Sequence, residues 1–151
     1  DAVMADTGIV NLDRLIDATF AGQSPESDEM LRRCLSEGLD VGYIVSALLR
    51  HALTLQSSRL LRDAGKDMRS IEQAARVHFR RQQAFQRQVN HWTNAALDKA
   101  ILYLFDAQYL SRKNSGLSNQ ILSRCLIRIS GAVKKPLYWS CLKAGLFMPV
   151  L

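Results

Sequence analysis

Between Asp40 and Gly65 the apolar residues Val41, Ile44, Val45, Leu48, Leu49, Ala52 and Leu55 recur three and four positions apart. That spacing puts them on one side of a helix; a half-buried strand would alternate instead. Arg50, Thr54 and Ser57 fall on the opposite side. Asp40 is a suitable N-cap, because its carboxylate can accept from the unpaired amides of a first turn, and Gly65 is a suitable stop. A helix this long with one broad apolar stripe must bury that stripe against other elements. What the rest of the chain offers for the purpose is more helix.

Asn11 reads as the cap of a helix over 12–21, with Leu12, Leu15, Ile16 and Phe20 at helical spacing and Gly22 closing it. Residues 1–10 read as the end of a preceding unit. Ser24-Pro25 opens a second helix, with Glu26, Asp28 and Glu29 near its positive end, Met30, Leu31, Cys34 and Leu35 inward, and Gly38 as terminator. Ser70-Ile71-Glu72-Gln73 has the form of a capping box before a short helix. Thr93 caps the next helix, through about 112, whose inner face is Leu97, Ala100, Ile101, Leu104 and Phe105. Ser118 starts a last helix, with Ile121, Leu122, Cys125, Leu126 and Ile129 inward, closing near Gly131. Nothing has the alternation of a strand. The expected fold class is all-α, a helical bundle of about six or seven helices with short connections. The tail, residues 132–151, is broken by Lys134-Lys135-Pro136 and carries Leu137, Tyr138, Trp139, Leu146, Phe147 and Met148, too apolar for a free tail; it is expected to fold back on the bundle rather than stand as an exposed sticky end.

The stretch from Arg76 to Trp92 contains no Asp or Glu. Phe85, Val89 and Trp92 share one helical face there, which predicts a buried aromatic stripe facing the long helix of 40–64. Arg76, Arg80, Arg81 and Arg87 lie off that face. They are either a solvated basic side or candidate contacts to nucleic-acid phosphates. His51 falls at the edge of the long helix's stripe, with no second ligand at helical spacing to suggest a metal.

Charge is unevenly distributed. Residues 1–40 carry nine acids against three Arg, while residues 41–151 carry five acids against seventeen Lys or Arg. The basic part therefore calls for an acidic partner or a neighbouring protein surface. Cys34, Cys125 and Cys141 form no CxxC pair, and three widely spaced cysteines fit a reducing, cytoplasmic setting better than a disulfide framework. No apolar run approaches the ~20 residues of a membrane span. The phosphate-cradling GxxxxGK[ST] loop is absent, as are GxGxxG, HExxH and GxSxG. Neither intrinsic catalysis nor nucleotide hydrolysis is expected, and no catalytic residue, metal, cofactor or small-molecule ligand is assigned.

Several motifs occur in a fixed order. They are Leu12-Asp13-Arg14-Leu15-Ile16-Asp17-Ala18 with Ala21-Gly22, then Leu35-Ser36-Glu37-Gly38, then Leu48-Leu49-Arg50-His51. Phe79-Arg80-Arg81, Phe85, Gln88 and Trp92 follow, and then Leu97, Ala100, Leu104 and Ala107. From Asn11 to about Ser130 this pattern resembles the C-terminal domain of the delta subunit of bacterial DNA polymerase III, a clamp-loader component. It differs at Gln108, where the family often has an acid, and at Ser123-Arg124, where Glu-Arg is usual. The resemblance implies a collar-like helical domain over 11–131, preceded in 1–10 by the end of a lid domain, within a longer protein. It implies membership of the DNA polymerase III holoenzyme, assembly with clamp-loader subunits of the gamma, tau and delta-prime types, and at most indirect or weak DNA contact.

A collar domain must bury one surface on itself and offer others to its neighbours. The helix of 93–112 has apolar residues beyond those of its inner face: Leu102, Tyr103, Tyr109 and Leu110. Together with Leu126, Ile127 and Ile129 they are the expected subunit interface. The alternative reading is a basic helical nucleic-acid-binding module, or another helical protein-interaction domain.

Overall fold

The structure is a computed structural model that describes the backbone of residues 2–134 and the side chains of residues 7–133. Among these residues it is an all-α bundle of seven helices without strands: α1 (Ala2–Phe20), α2 (Ser24–Ser36), α3 (Val41–Asp63), α4 (Met68–Ala75), α5 (Gln82–His91), α6 (Asn94–Lys113) and α7 (Ser118–Lys134). Short 3-10 turns at Phe79–Arg81 and Ser115–Leu117 lead into α5 and α7. The apolar tail lies, from residue 135 on, outside the described residues, and Cys141 with it. No described helix is long and apolar enough to cross a membrane.

The centre of the bundle is α3. Its stripe residues Val41, Ile44, Val45, Leu48, Ala52 and Leu55 are buried and Leu49 is half-buried. α6 packs along α3, α2 pairs with α1, and α7 closes the far side against α6, α1 and α2. Leu15, Phe20, Met30, Leu97, Leu104, Leu122 and Ile129 fill the space between them. Caps hold several of the boundaries. Asp40 accepts from the Tyr43 amide and Thr93 from the Ala96 amide, so each satisfies a first-turn donor that would otherwise be unpaired.

Other boundaries differ from the sequence reading. Asn11 is not a cap. α1 runs through it from Ala2, and its side-chain amide donates to Glu37 Oε1 at 2.6 Å, so residues 2–10 and 11–20 are one continuous helix. Asp67, not Ser70, caps α4; it accepts from both the amide and the hydroxyl of Ser70, which hold its carboxyl below the usual pKa. Gln23 precedes α2, leaving Ser24-Pro25 inside the first turn. Phe105 is 49% exposed and is not a core residue; Ala107 and Ser111 complete the buried face of α6. α7 continues past Gly131 to Lys134.

Gly22 is needed where it stands. At φ +78° it occupies the left-handed position of a Schellman turn, in which the Gln23 amide reaches Ala18 O and the Gly22 amide reaches Thr19 O. A Cβ there would meet Val133 Cβ at 3.0 Å, so the residue also lets α7 approach the end of α1.

Candidate functional site

The residues singled out in the acid-free stretch separate into a buried joint and an exposed edge. The joint forms where α5 crosses α1 and α3. Phe85, Val89 and Trp92 are buried, as their spacing implies. The Trp92 ring lies 5.4 Å from that of Phe20, and its indole Nε1 donates to Phe20 O at 2.8 Å. Phe20 is the last residue of α1, so its carbonyl has no successor in the helix to pair with. The indole therefore acts as a buried C-terminal cap as well as a core side chain. Ser130 of α7 donates to Thr19 O beside it at 3.4 Å.

Arg81 enters the joint from the turn before α5. It forms a two-pronged contact with Asp17, Nε to Oδ2 and Nη2 to Oδ1 at 2.9 Å each, and its Nη1 reaches Asp13 Oδ1 at 2.9 Å. Burial alone would lower the guanidinium pKa. The hydrogen bonds and charge of Asp17, then the charge of Asp13, outweigh burial and hold it above its ordinary value. The Gln88 side chain extends the chain of contacts. Asp17 Oδ1 can only accept, so it fixes the Gln88 amide nitrogen toward it, at 3.2 Å. The amide oxygen then faces His51, 2.6 Å from its Nε2, and this nitrogen must carry the proton. The His51 ring also stacks edge-on with Phe20 at 5.0 Å. Burial pushes its pKa down to about 4, with Gln88 and Asp17 opposing the shift and Arg81 adding to it. His51 is thus a neutral donor in a structural network.

The four candidate phosphate-contacting arginines are not equivalent. Arg81 is committed to Asp13 and Asp17. Arg87 lies on a different side, in a cleft of about 720 Å³ between the end of α1 and α5, with Arg14, Asp17 and His91. Arg76 and Arg80 are exposed beside the turn that precedes α5. The acidic N-terminal part had suggested an external partner for the basic remainder. Part of that demand is met inside the chain, by Asp13 and Asp17 on Arg81. Two acids four positions apart on α1, with Arg14 as the one basic residue within helical reach of them, are the signal the sequence offers for this pairing.

The expected interface residues also separate. Leu102 (61% exposed), Tyr109 (62%) and Leu110 (42%) are on the surface, and so is Ile127 (62%). Tyr103 is half-buried, with Arg128 of α7 over its ring at 5.5 Å. Leu126 and Ile129 belong to the core rather than to any surface, because α7 turns them toward the interior of the bundle. Phe105 joins the exposed group instead. The Gln56–Asp98 hydrogen bond ties α3 to α6 one turn before Leu102, and Leu53, three residues before Gln56, is also exposed. Leu53, Leu102, Phe105 and Tyr109 thus make an apolar face across two helices. Helical spacing alone places Phe105 with the core residues of α6, because it does not tell which side of the helix the neighbours cover.

Cys34 and Cys125 are free and buried. Burial, aided by Glu37, raises the Cys34 thiol to about 11. Burial raises that of Cys125 to about 12, with nearby Asp106 adding to the shift and Arg128 opposing it, and the thiol donates to Tyr103 O at 3.4 Å. Both are therefore protonated thiols at neutral pH, poor nucleophiles and poor metal ligands. Among the described residues no group of three or more His, Cys, Asp or Glu side chains could hold a metal ion. No known protein family, curated protein or solved structure matches the chain.

Proposed function

We propose that the chain is the collar-type assembly domain of a delta-like clamp-loader subunit, helping to build the machine that places a sliding clamp on DNA. One observation carries this reading. The residues on which the resemblance rests are scattered from Leu12 to Ala107, and in three dimensions many of them build one joint and its surrounding core, while Arg14, Arg50, Phe79 and Arg80 among them lie on the surface. Asp13, Asp17, His51, Arg81, Gln88 and Trp92 touch one another or share Phe20 as a neighbour. Leu15, Leu48, Phe85, Leu97, Ala100, Leu104 and Ala107 are buried around them. A pattern of this kind specifies an architecture rather than a reaction centre, as expected of a domain whose work is to hold other subunits.

The face of Leu53, Leu102, Phe105 and Tyr109 is the surface that this function would use. Aromatic and aliphatic side chains on one rigid helix pair give packing area at little cost in entropy, and a Tyr hydroxyl stays wet at an interface rim. Native mass spectrometry of the chain mixed with gamma- or tau-type and delta-prime-type subunits tests the proposal. The expected result is a defined complex for wild type, and loss of that complex for Leu102→Asp with Tyr109→Asp at unchanged melting temperature. No complex from wild type refutes the clamp-loader role. An intact complex from the double variant refutes this face.

A further inference from the structure

The edge formed by Arg76, His78, Phe79 and Arg80 is unused by the joint and by the apolar face. Phe79 is 69% exposed, more than any other large apolar residue of the described chain. It is held in a short 3-10 turn whose cap is His78, with Nδ1 accepting from the Arg80 amide at 3.3 Å. The His78 and Phe79 rings lie 4.5 Å apart at 34°, and the Arg80 guanidinium sits 5.5 Å from the Phe79 ring centroid. Two rings and a guanidinium plane thus stand together at the surface on a constrained turn.

Two clefts near this platform carry basic residues. Arg76 and His78 line one cleft with Arg50, Arg81, Asp13 and Asp17, and Arg76 lines a second with Arg69, Glu72, Gln82 and Gln86. Arg76 holds φ 52° and ψ 43° at the end of α4, the left-handed position that Gly usually fills. An exposed Arg in that conformation is locally unfavourable, which is the kind of outlier that accompanies function. The acids nearby are already engaged: Asp13 and Asp17 by Arg81, Glu72 by the Gln86 amide, and Asp67 by Ser70. Arg50, Arg69, Arg76 and Arg80 form no ion pair among the described residues, although Asp67 lies within electrostatic reach of Arg69.

We infer that this edge binds single-stranded nucleic acid, with an unpaired base stacked on Phe79 and the strand's phosphates tracked by Arg76 and its basic neighbours Arg50, Arg69 and Arg80. Every base has a π face, so stacking on an exposed ring is sequence-tolerant, and the unpaired arginines nearby supply cations for the phosphates. A duplex keeps its bases stacked internally and has none to give to Phe79. The inference does not depend on the clamp-loader reading, and its test involves no other subunit.

Fluorescence anisotropy of the 151-residue chain with labelled oligothymidylate, oligouridylate and a duplex of matched length tests it. Single strands are expected to bind more tightly than duplex, with log affinity falling as log salt rises by roughly 0.7 per phosphate contacted. Phe79→Ala should weaken single-strand binding roughly 5- to 150-fold at every salt concentration, the effect of losing one stacked base, without changing that slope. Arg76→Asn keeps a residue that tolerates the left-handed conformation and should make the slope shallower by roughly 0.7. Lys99→Ala, on α6, should change neither. The thymidylate and uridylate arms show whether the strand is DNA or RNA. Failure of both to bind at low salt, duplex binding as tight as single-strand binding, or Phe79→Ala behaving as wild type overturns the inference.

Discussion

Replacing Trp92 probes whether one side chain really joins α1, α5 and the core. The residue is 2% exposed, packs on Phe20, and supplies the donor for a carbonyl that α1 cannot pair itself. Trp92→Ala removes the ring and leaves a cavity, a loss of roughly 3–5 kcal/mol for a buried aromatic. Trp92→Phe keeps part of the packing and removes the N–H together with some ring volume, so the cost there is at least that of an unpaired buried carbonyl, roughly 1–3 kcal/mol. For a chain of this size about 4 °C of melting temperature goes with each kcal/mol. Trp92→Ala should therefore melt about 12–20 °C below wild type, and Trp92→Phe about 4–12 °C below. Urea and thermal unfolding followed by far-ultraviolet circular dichroism measure both, and helix signal avoids reliance on Trp fluorescence. A Trp92→Phe variant as stable as wild type refutes the capping role. A Trp92→Ala variant within about 1 kcal/mol of wild type refutes the packing argument as well.

His51 should make stability depend on pH. Its folded pKa is depressed to about 4 from an ordinary 6.5, so between these values the unfolded chain binds more protons than the folded one. The His51 contribution is then complete above about pH 6.5 and is lost as pH falls toward 4; urea midpoints from pH 7 to pH 5 should decline in wild type and decline less in His51→Gln, and parallel curves refute the assignment. Arg81→Met leaves Asp13 and Asp17 without their cation, and because Arg81 and Asp17 are about a quarter exposed (26% and 24%) the loss should be roughly 1–3 kcal/mol rather than the larger value of a fully buried pair. A double-mutant cycle with Asp17→Asn should return a coupling of roughly 0.5–3 kcal/mol, and additive losses would show that the pair is not coupled.

Local chemistry made much of the bundle legible. Helical spacing gave the stripe of α3 and the buried set Phe85, Val89 and Trp92, because a repeat of three and four residues can bury only one side of a helix. Asp40 and Thr93 were readable as caps because each precedes an apolar run and carries an oxygen within reach of the first-turn amides. Asn11 misled because cap chemistry is permissive: a good capping residue inside a helix looks the same in sequence as one at its start. Its amide is occupied by Glu37, a contact 26 residues away.

Amphipathic helices and a basic, acid-free connection before α5 are properties of neighbours along the chain, and so are readable without any coordinates. Which partner each charge meets, and which spare apolar residues are covered, depends on how the helices pack. Arg76, Arg80, Arg81 and Arg87 are alike in sequence, yet Arg81 alone meets Asp13 and Asp17 from α1, and pairing over such separations depends on how helices cross. Leu126 and Ile129 became core while Phe105 became surface for the same reason. A helix has apolar residues to spare, and which of them are covered is set by the neighbours that pack against it, not by the helix itself.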